Sequence, residues 1–228
     1  MGASGPVMVS IYTSYNYILR FLTEVASRVE LSSVYSFGNV FAKKEDKRVY
    51  SLFKEYMMMF ILIAFSMCLT FMIGIRGFIT VWVGKDNYIL EYITVVLFTS
   101  TSFLNILYFP LVALINADGL FKDNKKHIFI CAFTNLFLSI LLIKPFGING
   151  ILIGTSISFI VNILLKSNLI VKKIMKNVNL FSILKYYIVS ILMFSIFAII
   201  LKRVENYFLL SVVGFITTIL KNTIFIEM

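Results

Sequence analysis

Long stretches without a charged residue divide this chain into blocks with the length of membrane-spanning helices. Short segments rich in lysine and other charged residues separate six such stretches, which are residues 56–75, 92–117, 128–143, 145–165, 186–201 and 206–220. A helix needs roughly 20 predominantly apolar residues to cross the hydrocarbon core of a bilayer. The shorter stretches reach this length because flanking lysine side chains extend to the membrane interface. Each stretch is therefore predicted to form one transmembrane helix.

A seventh span is predicted at the N-terminus, where the first charged residue is Arg20. Polar side chains recur there at three- and four-residue steps, which places them along one side of a helix. The polar side consists of Thr13, Asn16, Tyr17, Arg20, Thr23, Glu24, Ser27 and Arg28, and the apolar side of Ile11, Ile18, Leu22, Val25 and Val29. No basic segment precedes this stretch, which argues against a cleaved secretory signal. The helix is expected to give way to a loop over residues 32–48.

These patterns predict an all-α integral membrane protein, with one bundle of about seven transmembrane helices over residues 1–228. The helices are predicted near residues 5–31, 55–80, 89–116, 127–144, 146–170, 183–201 and 205–221. Composition agrees, because 60% of the residues are hydrophobic, 14% are charged and the mean hydropathy is +0.93. In soluble domains about half of the residues are apolar and about a quarter are charged. The connections leave no room for a soluble catalytic domain.

The net charge of +10 would suggest nucleic acid as a partner if the chain were soluble. In a membrane protein, lysine and arginine instead concentrate in the cytoplasmic connections. Most basic residues here fall in alternate connections, at residues 43–54, 122–126 and 166–185. This bias predicts a multi-pass protein of the bacterial cytoplasmic membrane with the N-terminus outside and the C-terminus in the cytoplasm. Membrane lipids are the expected surroundings, and no nucleic acid partner is expected.

The polar side of the first span holds the candidate substrate-binding residues Asn16, Arg20, Glu24 and Arg28. The last three are spaced i, i+4, i+8, so the glutamate can pair with either arginine. An arginine with spare donors suits an anion such as a lipid-linked diphosphate. In the alternative interpretation, Glu24 and Arg28 are simply solvated near the cytoplasmic interface.

Several catalytic and cofactor motifs are missing from the sequence. It contains no GxxxxGK[ST] phosphate loop, no HExxH zinc motif, no DxxD-type acidic cluster and no GxSxG serine. No catalytic residue, metal site or cofactor is therefore predicted, and the chain is not expected to be an enzyme. Asparagines inside the spans, such as Asn105 and Asn135, are expected to join helices by hydrogen bonds.

An ordered set of short segments resembles a known family. The segments are "PVMVSIYTSYNYI" (6–18), "FAKKEDKR" (41–48), "FITVWVG" (78–84), "NADGLFKDNKKH" (116–127) and "GINGILIGTSIS" (147–158). Over about residues 2–176 they resemble, in order and spacing, the C-terminal half of bacterial polysaccharide biosynthesis proteins. These are the O-antigen and capsule repeat-unit flippases, which are relatives of the multidrug and toxin extrusion transporters. Where family members often carry a proline after the first of these helices, this chain has Ser33, Val34 and Tyr35.

The resemblance implies two helical bundles around a cavity that opens alternately to each side, with an undecaprenyl-diphosphate oligosaccharide as cargo. Arg20 would then be the cation that holds the diphosphate. This chain would supply only the second bundle, as a fragment of a longer protein, and would need a complementary N-terminal half or a second copy of itself. The alternatives are a cation-coupled drug extruder of the same superfamily and a membrane-embedded polysaccharide polymerase or assembly subunit.

Overall fold

Six helices account for nearly all of the chain in the computed structural model. The structure describes the backbone of residues 5–43, 46–83 and 88–224, and the side chains of residues 7–43, 48–83 and 88–203. The helices are α1 (Gly5–Ala42), α2 (Asp46–Val83), α3 (Tyr92–Ala117), α4 (Phe121–Phe146), α5 (Ile148–Lys173) and α6 (Leu180–Ile224). No strand occurs within these described ranges. The predicted all-α class is confirmed.

Five helices are long and apolar enough to cross a membrane. They are Arg48–Val83 within α2, the whole of α3, α4 and α5, and Leu180–Arg203 within α6. The chain is therefore a multi-pass membrane protein by length and composition, and the predicted count of seven spans is not confirmed. The first helix, α1, falls outside this set. Its polar side chains make it less apolar than the other helices.

The first helix is longer than predicted. A loop was expected over residues 32–48, but α1 continues to Ala42. Phe37 is fully buried there, with its ring centroid 5.3 Å from that of Tyr56 in α2. The Tyr56 hydroxyl also donates to Ser36 Oγ at 2.7 Å. The prediction of a loop at these residues is wrong because packing against α2 keeps the segment helical. The middle of the predicted basic connection, residues 44–47, lies outside the described side chains.

The predicted sixth and seventh spans, residues 183–201 and 205–221, both fall within α6. The described backbone from Leu180 to Ile224 is helical, so a turn between the two spans is not confirmed. Side chains beyond residue 203 lie outside the described set. The chain divides into two units, Met1–Ser190 and Ile191–Met228. The first unit contains α1 to α5 and the beginning of α6, where the Tyr187 hydroxyl lies 3.3 Å from Met57 Sδ.

The first unit is organised around α3, which packs against α1, α2 and α5. Contacts between α2 and α3 run antiparallel, from Cys68 with Thr99 to Phe60 with Phe109. The apolar core at the end where α1 and α3 begin combines four helices. Its members are Ile11, Tyr15, Leu19, Phe71, Ile75, Ile79, Val95, Phe98 and Leu152.

Helices α4 and α5 form a tight antiparallel hairpin. The predicted turn over residues 144–147 is confirmed, since α4 ends at Phe146 and α5 begins at Ile148. Gly147 has a φ of 56°, in the left-handed region that glycine adopts without strain. Asn135 of α4 accepts a hydrogen bond from Thr155 of α5 at 3.4 Å. Ser158 of α5 donates to the Cys131 carbonyl of α4 at 2.9 Å.

Candidate functional site

An open, partly polar cavity of about 220 Å³ lies between α1, α3 and α5 within the first unit. Its walls mix one arginine with amide, hydroxyl and aromatic side chains. The lining residues are Tyr12, Asn16, Arg20 and Thr23 of α1, Phe98, Thr101, Ser102 and Asn105 of α3, and Leu152, Thr155 and Phe159 of α5. Arg20 is the only charged side chain among them. The described lining is therefore suited to an anionic or polar group.

The hydrogen-bond donors of the cavity are available to a ligand. Among the described residues, Arg20 has no ion pair, and neither Asn16 nor Asn105 has a side-chain hydrogen bond. A guanidinium offers five N–H donors and each asparagine amide offers two. The threonine hydroxyls already donate to backbone carbonyls, as Thr23 does to Arg20 at 2.9 Å. The donors that remain can therefore converge on the oxygens of an anion.

The aromatic end of the cavity fixes α1 against the beginning of α3. The Tyr15 hydroxyl donates to the Tyr88 carbonyl at 3.3 Å and accepts from the Leu90 amide at 3.2 Å. The Tyr15 ring stacks on Phe98, with centroids 5.8 Å apart, and Tyr12 lies 5.1 Å from the same ring. These contacts hold the helix face that presents Asn16 and Arg20. The position of this part of α1 is thus fixed by Tyr15, a buried residue five positions before Arg20.

The structure separates the four predicted substrate-binding residues into two pairs. Asn16 and Arg20 line the cavity together, and both side chains are also exposed to its surroundings. Glu24 and Arg28 do not line it, and their side chains are exposed on α1. The predicted pairing of Glu24 with either arginine is also absent among the described contacts.

Sequence patterns missed the contribution of α3 and α5 to this site. Asn105 was expected to join helices, but it lines the cavity, whereas Asn135 does join α4 to α5 as predicted. Thr101 and Ser102 end a run of four hydroxyl residues, Thr99 to Ser102, within a charge-free stretch. The six polar residues between Thr94 and Asn105 were the available sign of a partly polar helix.

Two buried charged residues were also missed. Lys166, which sequence patterns place in a cytoplasmic connection, lies inside α5 with its side chain only 2% exposed. The predicted span of residues 146–170 also contained Lys166, and α5 continues to Lys173, so that Lys166 faces neighbouring helices. Glu30 of α1 is 8% exposed and lies beside Asn116 of α3. One of its carboxylate oxygens, Oε1, has no hydrogen-bond partner among the described atoms.

The described residues contain no group of three or more histidine, cysteine, aspartate or glutamate side chains that could hold a metal ion. The cavity lining likewise contains no carboxylate, thiol or imidazole. The groups present can contact a ligand through charge and hydrogen bonds. Comparisons with protein-family models, with curated proteins and with solved structures find no match to this chain.

Proposed function

We propose that this chain is part of a transporter that flips an undecaprenyl-diphosphate oligosaccharide across the bacterial cytoplasmic membrane for surface polysaccharide synthesis. The observation that carries the proposal is the Arg20 guanidinium, free of any described ion pair, in a polar cavity of a multi-pass bundle. Arginine matches the planar, bidentate geometry of phosphate oxygens. The resemblance of the sequence segments to polysaccharide flippases supplies the class of cargo.

The size of the cavity restricts which part of the cargo it receives. Pockets that enclose drug-sized ligands measure about 300–1,000 Å³, and this cavity measures about 220 Å³. A diphosphate group fits such a volume, whereas an oligosaccharide does not. In this proposal the cavity holds the diphosphate, and the saccharide lies against surfaces supplied by another bundle.

The outward face of α1 supports a requirement for a second bundle. Glu24 and Arg28 are exposed there, and Tyr17 is 63% exposed. Charged side chains are unfavourable in contact with lipid hydrocarbon and normally face protein or a water-filled cavity. A complementary N-terminal half, or a second copy of this chain, would cover this face and close the cavity. The proposed orientation, with the N-terminus outside and the C-terminus in the cytoplasm, follows from the distribution of basic residues.

Binding of undecaprenyl diphosphate to the purified chain in detergent tests the proposal. Arg20→Gln removes the cation but keeps a hydrogen-bonding side chain of similar length. Hydrogen bonds to charged groups contribute about 1.5–3 kcal/mol, so the Kd is expected to rise roughly 10- to 150-fold. Arg28→Gln is the matched control, because Arg28 lies on the same helix outside the cavity. This control is expected to bind like the wild type.

Transport is measured in proteoliposomes with a fluorescent lipid-linked diphosphate saccharide, using both variants. Arg20→Gln is expected to slow flipping while the amount of inserted protein stays constant. Equal binding and equal flipping by wild type and Arg20→Gln would remove Arg20 from the mechanism. A wild-type chain that binds no undecaprenyl diphosphate would refute the proposed cargo.

A second candidate function is supported by Glu30. A cation-coupled drug extruder would need an acidic side chain within the bundle, and Glu30 is a buried carboxylate with an unpartnered oxygen. Export of a cationic dye driven by an imposed ion gradient tests this alternative. Glu30→Gln would abolish such export, whereas Arg20→Gln would leave it unchanged. Absence of dye export by the wild type would exclude this function.

A further inference from the structure

Lys166 lies at a junction of three helices. Its Nζ donates a hydrogen bond to Oδ1 of Asn124 in α4 at 2.9 Å. The same nitrogen lies 5.3 Å from the ring centroid of Tyr108 in α3. The side chain belongs to α5 and is only 2% exposed, close to the end of the hairpin where α4 begins. A buried ammonium group therefore contacts both α3 and α4.

This ammonium group lacks a counter-ion. No carboxylate of the described residues lies within 4.0 Å of Lys166 Nζ. The group has three N–H donors, of which one is used by Asn124 in the described contacts. A charge inside a membrane-spanning segment is unfavourable and usually marks a substrate or ion pathway. Burying an ammonium group without a counter-ion is costly, so its contacts with Asn124 and Tyr108 are weak evidence that Lys166 serves stability alone.

A line of polar and aromatic residues joins Lys166 to the cavity. Phe159 lines the cavity, and its ring centroid is 6.0 Å from that of Tyr108. Lys166 follows Phe159 by two helical turns on α5, which is about 10 Å along the axis. Asn162 lies between them with a buried Oδ1 that has no described hydrogen-bond partner. Tyr108 thus separates the cavity from the ammonium group.

The same end of the hairpin carries a basic surface. Asp123 of α4 lies 3.5 Å from Lys173 of α5, which neutralises one of these charges. The other exposed lysines at the beginning of α4 and the end of α5 are Lys122, Lys125, Lys126 and Lys172. Clustered lysines attract anionic lipid headgroups over about a Debye length. An anion would therefore be concentrated next to the buried Lys166.

We propose that Lys166 is a second anion-binding group, which receives the diphosphate of the lipid carrier before or after Arg20 does. This proposal rests on the proposed function of the cavity. Rotation of the Tyr108 side chain away from Lys166 would uncover the ammonium group and connect it with the cavity. Asn124 would keep the ammonium in place during this change. The Arg20 guanidinium and the Lys166 ammonium, at different positions along the bundle, then define a path for one diphosphate along the interface of α3 and α5.

Binding of inorganic pyrophosphate to the purified full chain tests the proposal. Lys166→Met should raise the Kd about tenfold, since one charge-assisted hydrogen bond is lost, and Lys166→Arg should largely restore binding. Lys144→Met, which removes an exposed lysine at the opposite end of the hairpin, is the matched control and should change the Kd less than twofold. The thermal midpoint is measured on the same samples. A role in binding predicts that Lys166→Met and Lys166→Met/Asn124→Leu keep a midpoint near that of the wild type.

A measurement on the wild type covers the case in which Lys166→Met fails to fold. The rate at which acetic anhydride acetylates the Lys166 amine, with release of acetate, is followed by mass spectrometry, with and without pyrophosphate. Protection of Lys166 at saturating pyrophosphate supports the site, and an unchanged rate overturns it. Loss of binding in Arg20→Gln with full binding in Lys166→Met would overturn this site and leave the proposed function standing. Loss of binding in Lys166→Met with full binding in Arg20→Gln would support the Lys166 site and overturn the role of Arg20. No binding of pyrophosphate by the wild type would overturn both proposals.

Discussion

Close contact between α4 and α5 depends on two glycines that leave no room for a side chain. A Cβ atom placed on Gly154 would lie 2.9 Å from the Ser139 amide nitrogen and 3.0 Å from its Oγ. A Cβ atom on Gly150 would overlap the backbone carbonyl of Leu142. Optimal contacts of carbon atoms lie at about 3.5–4.0 Å. Alanine at Gly154 thus requires the hairpin to open by roughly 0.5–1 Å, and alanine at Gly150 requires more.

We expect Gly154→Ala and Gly150→Ala to destabilise the protein. Overpacking of a tightly packed contact costs about 1–3 kcal/mol, and Gly150→Ala should lie at the upper end because its obstacle is backbone. The matched control is Gly77→Ala in α2, where a Cβ atom has nothing within 4 Å. Alanine is favoured over glycine inside a helix by about 0.5–1 kcal/mol, so the control should gain stability. For a chain of this length, 1 kcal/mol corresponds to roughly 2–4 °C in Tm.

Thermal unfolding in detergent measures the stability, and a thiol assay reports on the hairpin itself. Cys131 of α4 is 6% exposed and its carbonyl accepts from Ser158 of α5. In a Cys68→Ala background, Cys131 should react with a maleimide faster in Gly150→Ala than in the parent. Gly77→Ala should leave this rate unchanged. If Gly150→Ala and Gly77→Ala matched in both Tm and labelling rate, the inferred close packing of α4 on α5 would be wrong.

Two further predictions concern hydrogen bonds between helices and their connections. Tyr15→Phe removes the hydroxyl that forms hydrogen bonds with Tyr88 and Leu90. The free energy of unfolding should therefore fall by about 1–3 kcal/mol, with a lower Tm. Tyr17→Phe, on the exposed side of α1, is the control and should leave Tm unchanged. Equal Tm values for the two variants would contradict the role of Tyr15. Asn135→Leu removes the acceptor for Thr155 and should lower the free energy of unfolding by about 0.6 kcal/mol. Denaturant-induced unfolding measures this difference. A gain in stability would show that this bond contributes nothing.

The buried face of α1 shows how far sequence patterns reach. The helix and its polar side were predicted, because three- and four-residue periodicity is a local property of the chain. The predicted apolar side was only partly right, since Ile11 is buried but Val25 is 45% exposed. The residues that are buried also include Tyr15 and Ala26. Their burial depends on where α2 and α3 cross α1, which no pattern within α1 encodes.

The amino-acid sequence by itself determined the apolar helices, the hairpin turn at Gly147 and the polar side of α1. These features follow from hydropathy, helix periodicity and the conformational freedom of glycine, which all act over a few neighbouring residues. The tertiary structure decided that Arg20 lines a cavity while Arg28 does not, and that Lys166 is buried. Both outcomes depend on which residues of distant helices face the same space. Such neighbours come together only when the helices pack.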